Sequence, residues 1–137
     1  MDGPVAEVEA IKELKARYFR TLDTKDWDAM RQVFTDDVVM DTTASPGGAV
    51  VTGADEFMVF LLGMIGDVIT VHHGHTPEIE LTSATTATGV WAMEDMLRWP
   101  DGREMHGYGH YHETYERLQD GWRIKTLTLT RLRVDWT

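Results

Sequence analysis

The spacing of apolar residues divides the chain into a helical first half and a strand-rich second half. Val8, Ile11, Leu14, Tyr18 and Leu22 recur at three- and four-residue steps, which sets them on one stripe of a helix over Val5–Leu22. Pro4 lies before its first turn, and Glu7 and Glu9 suit the positive end of the helix dipole. Asp26 can cap a second, short helix, Asp26–Phe34, with Trp27, Met30, Val33 and Phe34 as its apolar face. Thr35-Asp36-Asp37 is expected to end it. A short strand, Val38–Asp41, and a return arm, Ala49–Thr52, flank the loop signal Ser45-Pro46-Gly47-Gly48. A third helix, Ala54–Ile65, is apolar on most sides (Phe57, Phe60, Leu61, Met64) and is expected to be well buried.

From Val68 the period changes to two. Val68–His73, Glu78–Ser83, Thr85–Arg98, Glu104–Arg117 and Trp122–Val134 read as strands, and Pro100-Asp101-Gly102 and Gln119-Asp120-Gly121 as hairpin turns. Helices gathered at one end and a meander at the other predict an α+β fold, with helices on one face of an antiparallel sheet. At 137 residues the chain is read as one domain, 1–137, with no internal repeat or linker.

Strand parity exposes two charges on apolar faces. Trp91, Met93, Asp95, Leu97 and Trp99 alternate on the more apolar side of their strand, so a carboxylate is expected inside. A buried carboxylate must be paired, hydrogen-bonded or protonated. In the last strand Ile124, Thr126, Thr128, Thr130 and Leu132 fall on one side, suited to solvent or a subunit interface. Leu127, Leu129 and Arg131 then point inward with Lys125 and Arg133. An Arg–carboxylate pair is the cheapest way to hold either group there; a purely structural ion pair, or an Arg reaching water at the strand end, is the plainer alternative.

Composition narrows the chemistry. Six histidines fall in two groups, His72, His73, His75 and His106, His110, His112, suited to proton transfer near neutral pH. His110-Tyr111-His112 with Glu116 matches half of a cupin metal motif, but the glycine spacing is wrong and the helical first half does not suit an all-β cupin. No metal is therefore expected. The absence of cysteine excludes disulfides and thiolate chemistry and fits a cytoplasmic location. A formal charge of −10 argues against nucleic acid or anionic membrane as partner. No apolar run long enough to span a bilayer and no basic-then-apolar amino terminus are present, so neither a membrane span nor a secretory signal is expected. Five Trp, four Tyr, four Phe and eight Met can fill a core or line an adaptable apolar pocket.

Several stretches carry a family resemblance. Ile11 to Asp23 (Ile-Lys-Glu-Leu-Lys-Ala-Arg-Tyr-Phe-Arg-Thr-Leu-Asp) with Lys25 and Trp27-Asp28, then His72-His73-Gly74-His75-Thr76-Pro77-Glu78-Ile79, then Thr86-Ala87-Thr88-Gly89 with Trp91 and Glu94-Asp95, and finally Asp120-Gly121-Trp122, Ile124-Lys125 and Arg131, resemble the SnoaL-like branch of the nuclear-transport-factor-2-like superfamily. Within that branch they are similar to the bile-acid 7α-dehydratases. The resemblance implies a cone: a curved antiparallel sheet wrapped around a long N-terminal helix, with two shorter helices and a deep apolar pocket. It places the functional positions on Tyr18, Asp23, His72, Asp95 and Arg131. His72 is then the proton acceptor, oriented by Asp23, and Tyr18 a donor to a carbonyl oxygen gaining enolate character. Asp95 has two possible states, a neutral acid or the anionic partner of Arg131.

These parts suit a cofactor-independent dehydratase, a lyase acting on a hydrophobic steroid-like or polycyclic carbonyl compound. An isomerase or cyclase of the same fold, or a non-catalytic ligand-binding domain, would use the same pocket. A homo-oligomer is expected, a trimer ahead of a dimer or tetramer.

Overall fold

In the computed structural model, which describes residues 3–137, a six-stranded sheet curves around the first helix. The first two residues of the expected domain lie outside the described residues. Helix α1 (Pro4–Asp23) buries Ile11, Leu14, Tyr18 and Leu22 as their spacing predicts, and buries Lys15 and Thr21 beside them. It packs on the third and sixth strands. It ends in a Schellman turn, in which the Asp26 N–H donates to the Thr21 carbonyl (2.9 Å) and the Lys25 N–H to that of Leu22 (3.2 Å). The left-handed position of this turn, usually glycine, is Lys25 (φ 59°). A side chain there costs about 1 kcal/mol.

Helix α2 (Trp27–Arg31) is shorter than the apolar spacing suggests. Asp26 caps it, accepting from the Ala29 N–H. Val33 and Phe34 leave the helix because strand pairing claims them: Ile124 N–H donates to the Val33 carbonyl, and Phe34 opens β1 (Phe34–Asp41) opposite Ile124. Thr35-Asp36-Asp37, expected to stop a helix, therefore lies in a strand, where a register break turns Asp36 and Asp37 to solvent. β2 (Val50–Thr52) returns along β1.

Helix α3 (Ala54–Ile65) departs from expectation. It buries Ala54, Phe57 and Ile65 but leaves Val59 75 % and Leu62 56 % exposed, because it packs across β1 and β2 with one side only.

The remaining strands are β3 (Ile69–Leu81), β4 (Thr86–Arg98), β5 (Glu104–Leu118) and β6 (Gly121–Trp136), in sheet order β2-β1-β6-β5-β4-β3. All neighbours are antiparallel except β1 and β6, which pair in parallel. The two strands expected before and after residues 74–77 are one strand, interrupted between His75 and Glu78 where Thr76 takes φ 35°. A second irregularity, between Thr114 and Tyr115, changes the parity of β6: Ile124 is buried on the core side, and two residues later Thr126 is not, while Leu127 and Leu129 are. The inward placement of Leu127, Leu129 and Arg131 and the outward placement of Thr128 and Thr130 follow from this bulge. Among the described residues, no helix is long and apolar enough to cross a membrane.

Candidate active site

The concave side of the sheet, α1 and α3 enclose a cavity. Phe57, Phe60, Leu61 and Met64 of α3, with Leu97 of β4 and Trp99 just after it, form its apolar wall; Tyr18, His72, Asp95, Tyr111 and Arg131 also line it. Period-two alternation carries His72 and Asp95 inward, and sheet register sets them directly opposite each other on β3 and β4.

Asp23 is the last residue of α1, and its side chain meets β3. Its carboxylate collects three donors. His72 Nδ1 lies 2.7 Å from Oδ1, the His72 backbone N–H donates to Oδ2 at 2.8 Å, and the Thr70 hydroxyl donates to Oδ1 at 3.0 Å. The Lys25 ammonium in turn donates to the Thr70 oxygen at 2.8 Å. An acceptor-only carboxylate on Nδ1 assigns the proton there and leaves the Nε2 lone pair free. Nε2 lies 3.8 Å from Asp95 Oδ2.

Asp95 and Arg131 meet as a fork: Nη1 to Oδ1 at 2.8 Å and Nη2 to Oδ2 at 3.0 Å, with side chains only 5 % and 9 % exposed. Bidentate acceptance through both oxygens is the geometry of the anion, so of the two states open to Asp95 the ion pair is the one adopted. The strand between them permits it. Asp95 faces Gly107 on β5 and Arg131 faces Gly109, and a methyl group at position 107 would overlap both the guanidinium and the carboxylate. Nη2 and Nε of Arg131 also donate to the Ser45 hydroxyl (2.9 and 3.2 Å), tying the Ser45-Pro46-Gly47-Gly48 loop to the cavity wall, and Nη1 reaches the Met93 sulfur at 3.6 Å.

Tyr18 completes the set. Burial together with nearby Glu113 raises the pKa of its hydroxyl well above the ordinary tyrosine range. Burial likewise raises Tyr111. Both hydroxyls keep their protons at neutral pH and can donate to a ligand oxygen. The structure thus brings four of the five sequence-selected residues, Tyr18, His72, Asp95 and Arg131, to the wall of one cavity, with Asp23 behind them on Nδ1 of His72.

Sequence reasoning missed a second buried pair behind the tyrosines. Lys15 Nζ and Glu113 Oε2 are 2.5 Å apart with both side chains fully buried. The ammonium lies 3.7 and 3.8 Å from the ring centroids of Tyr18 and Tyr111. Burial pulls Lys15 down to about 8, against the opposing pull of Glu113. The signal was available: Lys15 is one step from Leu14 and three from Tyr18 on the buried stripe, and Glu113 shares the inward parity of Tyr111 and Tyr115. The other histidines lie elsewhere. His73 and His75 flank Glu94 on the outer face of the sheet, and His112 bonds Thr130 there. Among the described residues no three His, Asp or Glu side chains are grouped to hold a metal ion.

Comparison with known proteins places this geometry in a family. A family model described as a SnoaL-like domain matches residues 4–128. The chain belongs to the SnoaL-like family. The protein FGR4 of Gibberella zeae, to which a cyclase activity is ascribed, is 24 % identical over 138 residues, covering 89 % of each chain. A crystal structure from Novosphingobium aromaticivorans DSM 12444, with scytalone dehydratase as its suggested activity, is 23 % identical at TM-score 0.86, covering 96 % of this chain and 87 % of that one. A hexachlorocyclohexane dehydrochlorinase (LinA, type 2) is 16 % identical at TM-score 0.86, covering 97 % of this chain and 90 % of that one. At these identities the two structures establish the SnoaL-like cone as the fold.

Proposed function

We propose that this SnoaL-like protein is a cofactor-independent lyase that removes water from a hydrophobic, polycyclic or steroid-like carbonyl compound. The observation that carries the reading is the 2.7 Å Asp23–His72 contact, which engages Nδ1 and leaves the other side of the ring to an apolar cavity. Nε2 takes a proton from the carbon α to the substrate carbonyl, or from its vinylogous position. The C–H electron pair moves into the enolate, whose oxygen accepts a hydrogen bond from Tyr18. With Asp95 engaged by Arg131, the proton for the leaving group comes from the His72 imidazolium: the C–O bond breaks, the departing hydroxide takes the proton from Nε2, and water and an alkene form. His72 returns to its neutral state. Asp95, 3.8 Å from Nε2, offsets the charge of the imidazolium while it exists.

The apolar wall supports a hydrophobic substrate, since such a site gains affinity mainly from buried apolar area. The dehydratase and dehydrochlorinase names among the relatives denote eliminations, which supports the reaction class. The cyclase ascribed to FGR4 favours a second reading, ring closure or isomerisation from the same enolate. Product mass separates the two, because dehydration alone loses water.

The test is a screen of steroid and aromatic-polyketide carbonyl compounds by mass spectrometry, followed by His72→Ala and Asp23→Asn on any substrate found. A positioned base contributes roughly 10²- to 10⁴-fold, and both variants are expected to lose turnover in that range. Full turnover by either variant removes the dyad from the mechanism.

A further inference from the structure

The turn after α1 holds a strained lysine with a specific contact. Position 25 is the left-handed residue of a Schellman turn, where glycine is favoured. The side chain placed there is half-buried, and its ammonium reaches across to β3 to meet the Thr70 hydroxyl at 2.8 Å. Thr70 is itself only 4 % exposed. Strain at a non-glycine residue persists where the side chain supplies something the site uses.

The chemistry of the donors dictates the direction of the chain. An ammonium has hydrogens and no lone pair, so Thr70 Oγ1 must accept from Lys25. The one hydroxyl hydrogen of Thr70 is then committed to Asp23 Oδ1. Asp23 receives that hydrogen, the His72 backbone N–H and the His72 ring at Nδ1. With every neighbour donating, the carboxylate is the terminal acceptor, and the ring proton belongs on Nδ1. Without Lys25, the Thr70 hydroxyl is free to turn, and the carboxylate loses the donor that competes with a proton of its own.

We infer that Lys25 and Thr70 are positioning residues for His72, holding the imidazole in its Nδ1–H tautomer with Nε2 bare toward the cavity through a one-way donor chain that ends on Asp23. This inference rests on the reading of His72 as a base only for its consequence in turnover; the tautomer itself is independent of any substrate. Neither residue touches the cavity, so neither is catalytic.

The experiment is ¹⁵N-resolved NMR of the His72 ring in the full chain, with the imidazole neutral. Wild type is expected to show a pyrrole-type Nδ1 and a pyridine-type Nε2. Thr70→Val, which keeps shape and removes the hydroxyl, and Lys25→Gly, which relieves the left-handed strain, are expected to shift the tautomer ratio about tenfold toward Nε2–H, the equivalent of one hydrogen bond to a charged group. Thr70→Ser is expected to restore the wild-type pattern. Lys25→Gly is expected to melt no lower than wild type, which separates positioning from a merely structural role. A wild-type ring protonated on Nε2, or an unchanged tautomer ratio in both Thr70→Val and Lys25→Gly, overturns the inference. With a substrate in hand, a shifted tautomer with unchanged turnover refutes His72 as base while leaving the donor chain standing.

Discussion

Replacing Lys15 by Met tests whether the second buried pair is a true ion pair in a dry core. Methionine keeps the volume of the stem and removes the charge. Glu113 is then left as a lone carboxylate at 0 % side-chain exposure, with Tyr115 donating to its other oxygen at 2.6 Å and Trp91 donating to Tyr115 at 3.0 Å. Breaking one side of a buried pair costs about 3–5 kcal/mol, most of it the penalty of the stranded charge. For a chain of this size each kcal/mol corresponds to roughly 3–5 °C, so a fall of about 10–20 °C in Tm is expected. Adding Glu113→Gln removes the stranded charge and keeps an acceptor for Tyr115, and should recover at least about 2 kcal/mol. Urea unfolding followed by tryptophan fluorescence measures all three proteins, and the loss should change little with salt because buried pairs are weakly screened. A loss below about 1 kcal/mol in Lys15→Met, or a double variant no more stable than the single, would refute the reasoning.

Three further outcomes follow from the same structure. Gly107→Ala pushes a methyl into the Asp95–Arg131 fork and should cost at least about 2 kcal/mol in denaturant unfolding, whereas Gly63→Ala, in open space on α3, should gain about 0.5–1 kcal/mol from helix propensity alone. Lys15 should make stability rise with pH above about 8: its folded pKa is lowered from 10.5 to about 8, so between those values the unfolded chain binds the extra proton and stability climbs by at most about 1.4 kcal/mol per pH unit. Tyr18, Tyr111 and Tyr115, raised by burial, reverse the trend above about pH 10, where the unfolded chain loses protons that the folded one keeps; Tm measured against pH should rise and then fall, and Lys15→Met should lose the rise.

The parts of the site legible in the sequence were those governed by simple alternation. β4 keeps strict parity from Ala87 to Asp95, so the inward carboxylate could be seen from residue order alone. Alternation counted from Leu127 and Leu129 puts Arg131 on the correct face but Ile124 on the wrong one, because the bulge beside Tyr115 separates them. The join between them is not visible: β5 lies between β4 and β6, Gly107 leaves the room in which the two side chains cross, and Gly109 lets the β6 backbone approach at Thr130. Those glycines fall on the inward parity of an otherwise aromatic strand, which marks a place where something large approaches the backbone. Asp23 and His72 are marked by the family resemblance and not by parity; the chain of contacts from Lys25 through Thr70 depends on how the α1 turn meets β3, which no local pattern encodes. The misreading of Phe34 has the same origin, since its helical spacing was overridden by pairing with a strand ninety residues away.

The two buried ion pairs divide the work of the cavity in a way that constrains any mechanism. Each charge is neutralised by a residue from another element: Asp95 of β4 by Arg131 of β6, Lys15 of α1 by Glu113 of β5. Each pair is further bound on its outer side, by Ser45 in one case and Tyr115 in the other. The carboxylates and the guanidinium are therefore committed acceptors and donors before a ligand arrives. What a ligand meets uncommitted includes the Nε2 lone pair of His72 and the hydroxyl protons of Tyr18 and Tyr111, a base and two donors, across an apolar wall. That inventory assigns Asp95 to holding charge in place. It follows that Asp95→Asn should act mainly through stability and Arg131 packing, and that its effect should be coupled to Arg131→Met: measured by unfolding, the double variant should lose clearly less than the sum of the singles. Additive losses would mean that the two side chains act separately and would return Asp95 to the list of proton donors.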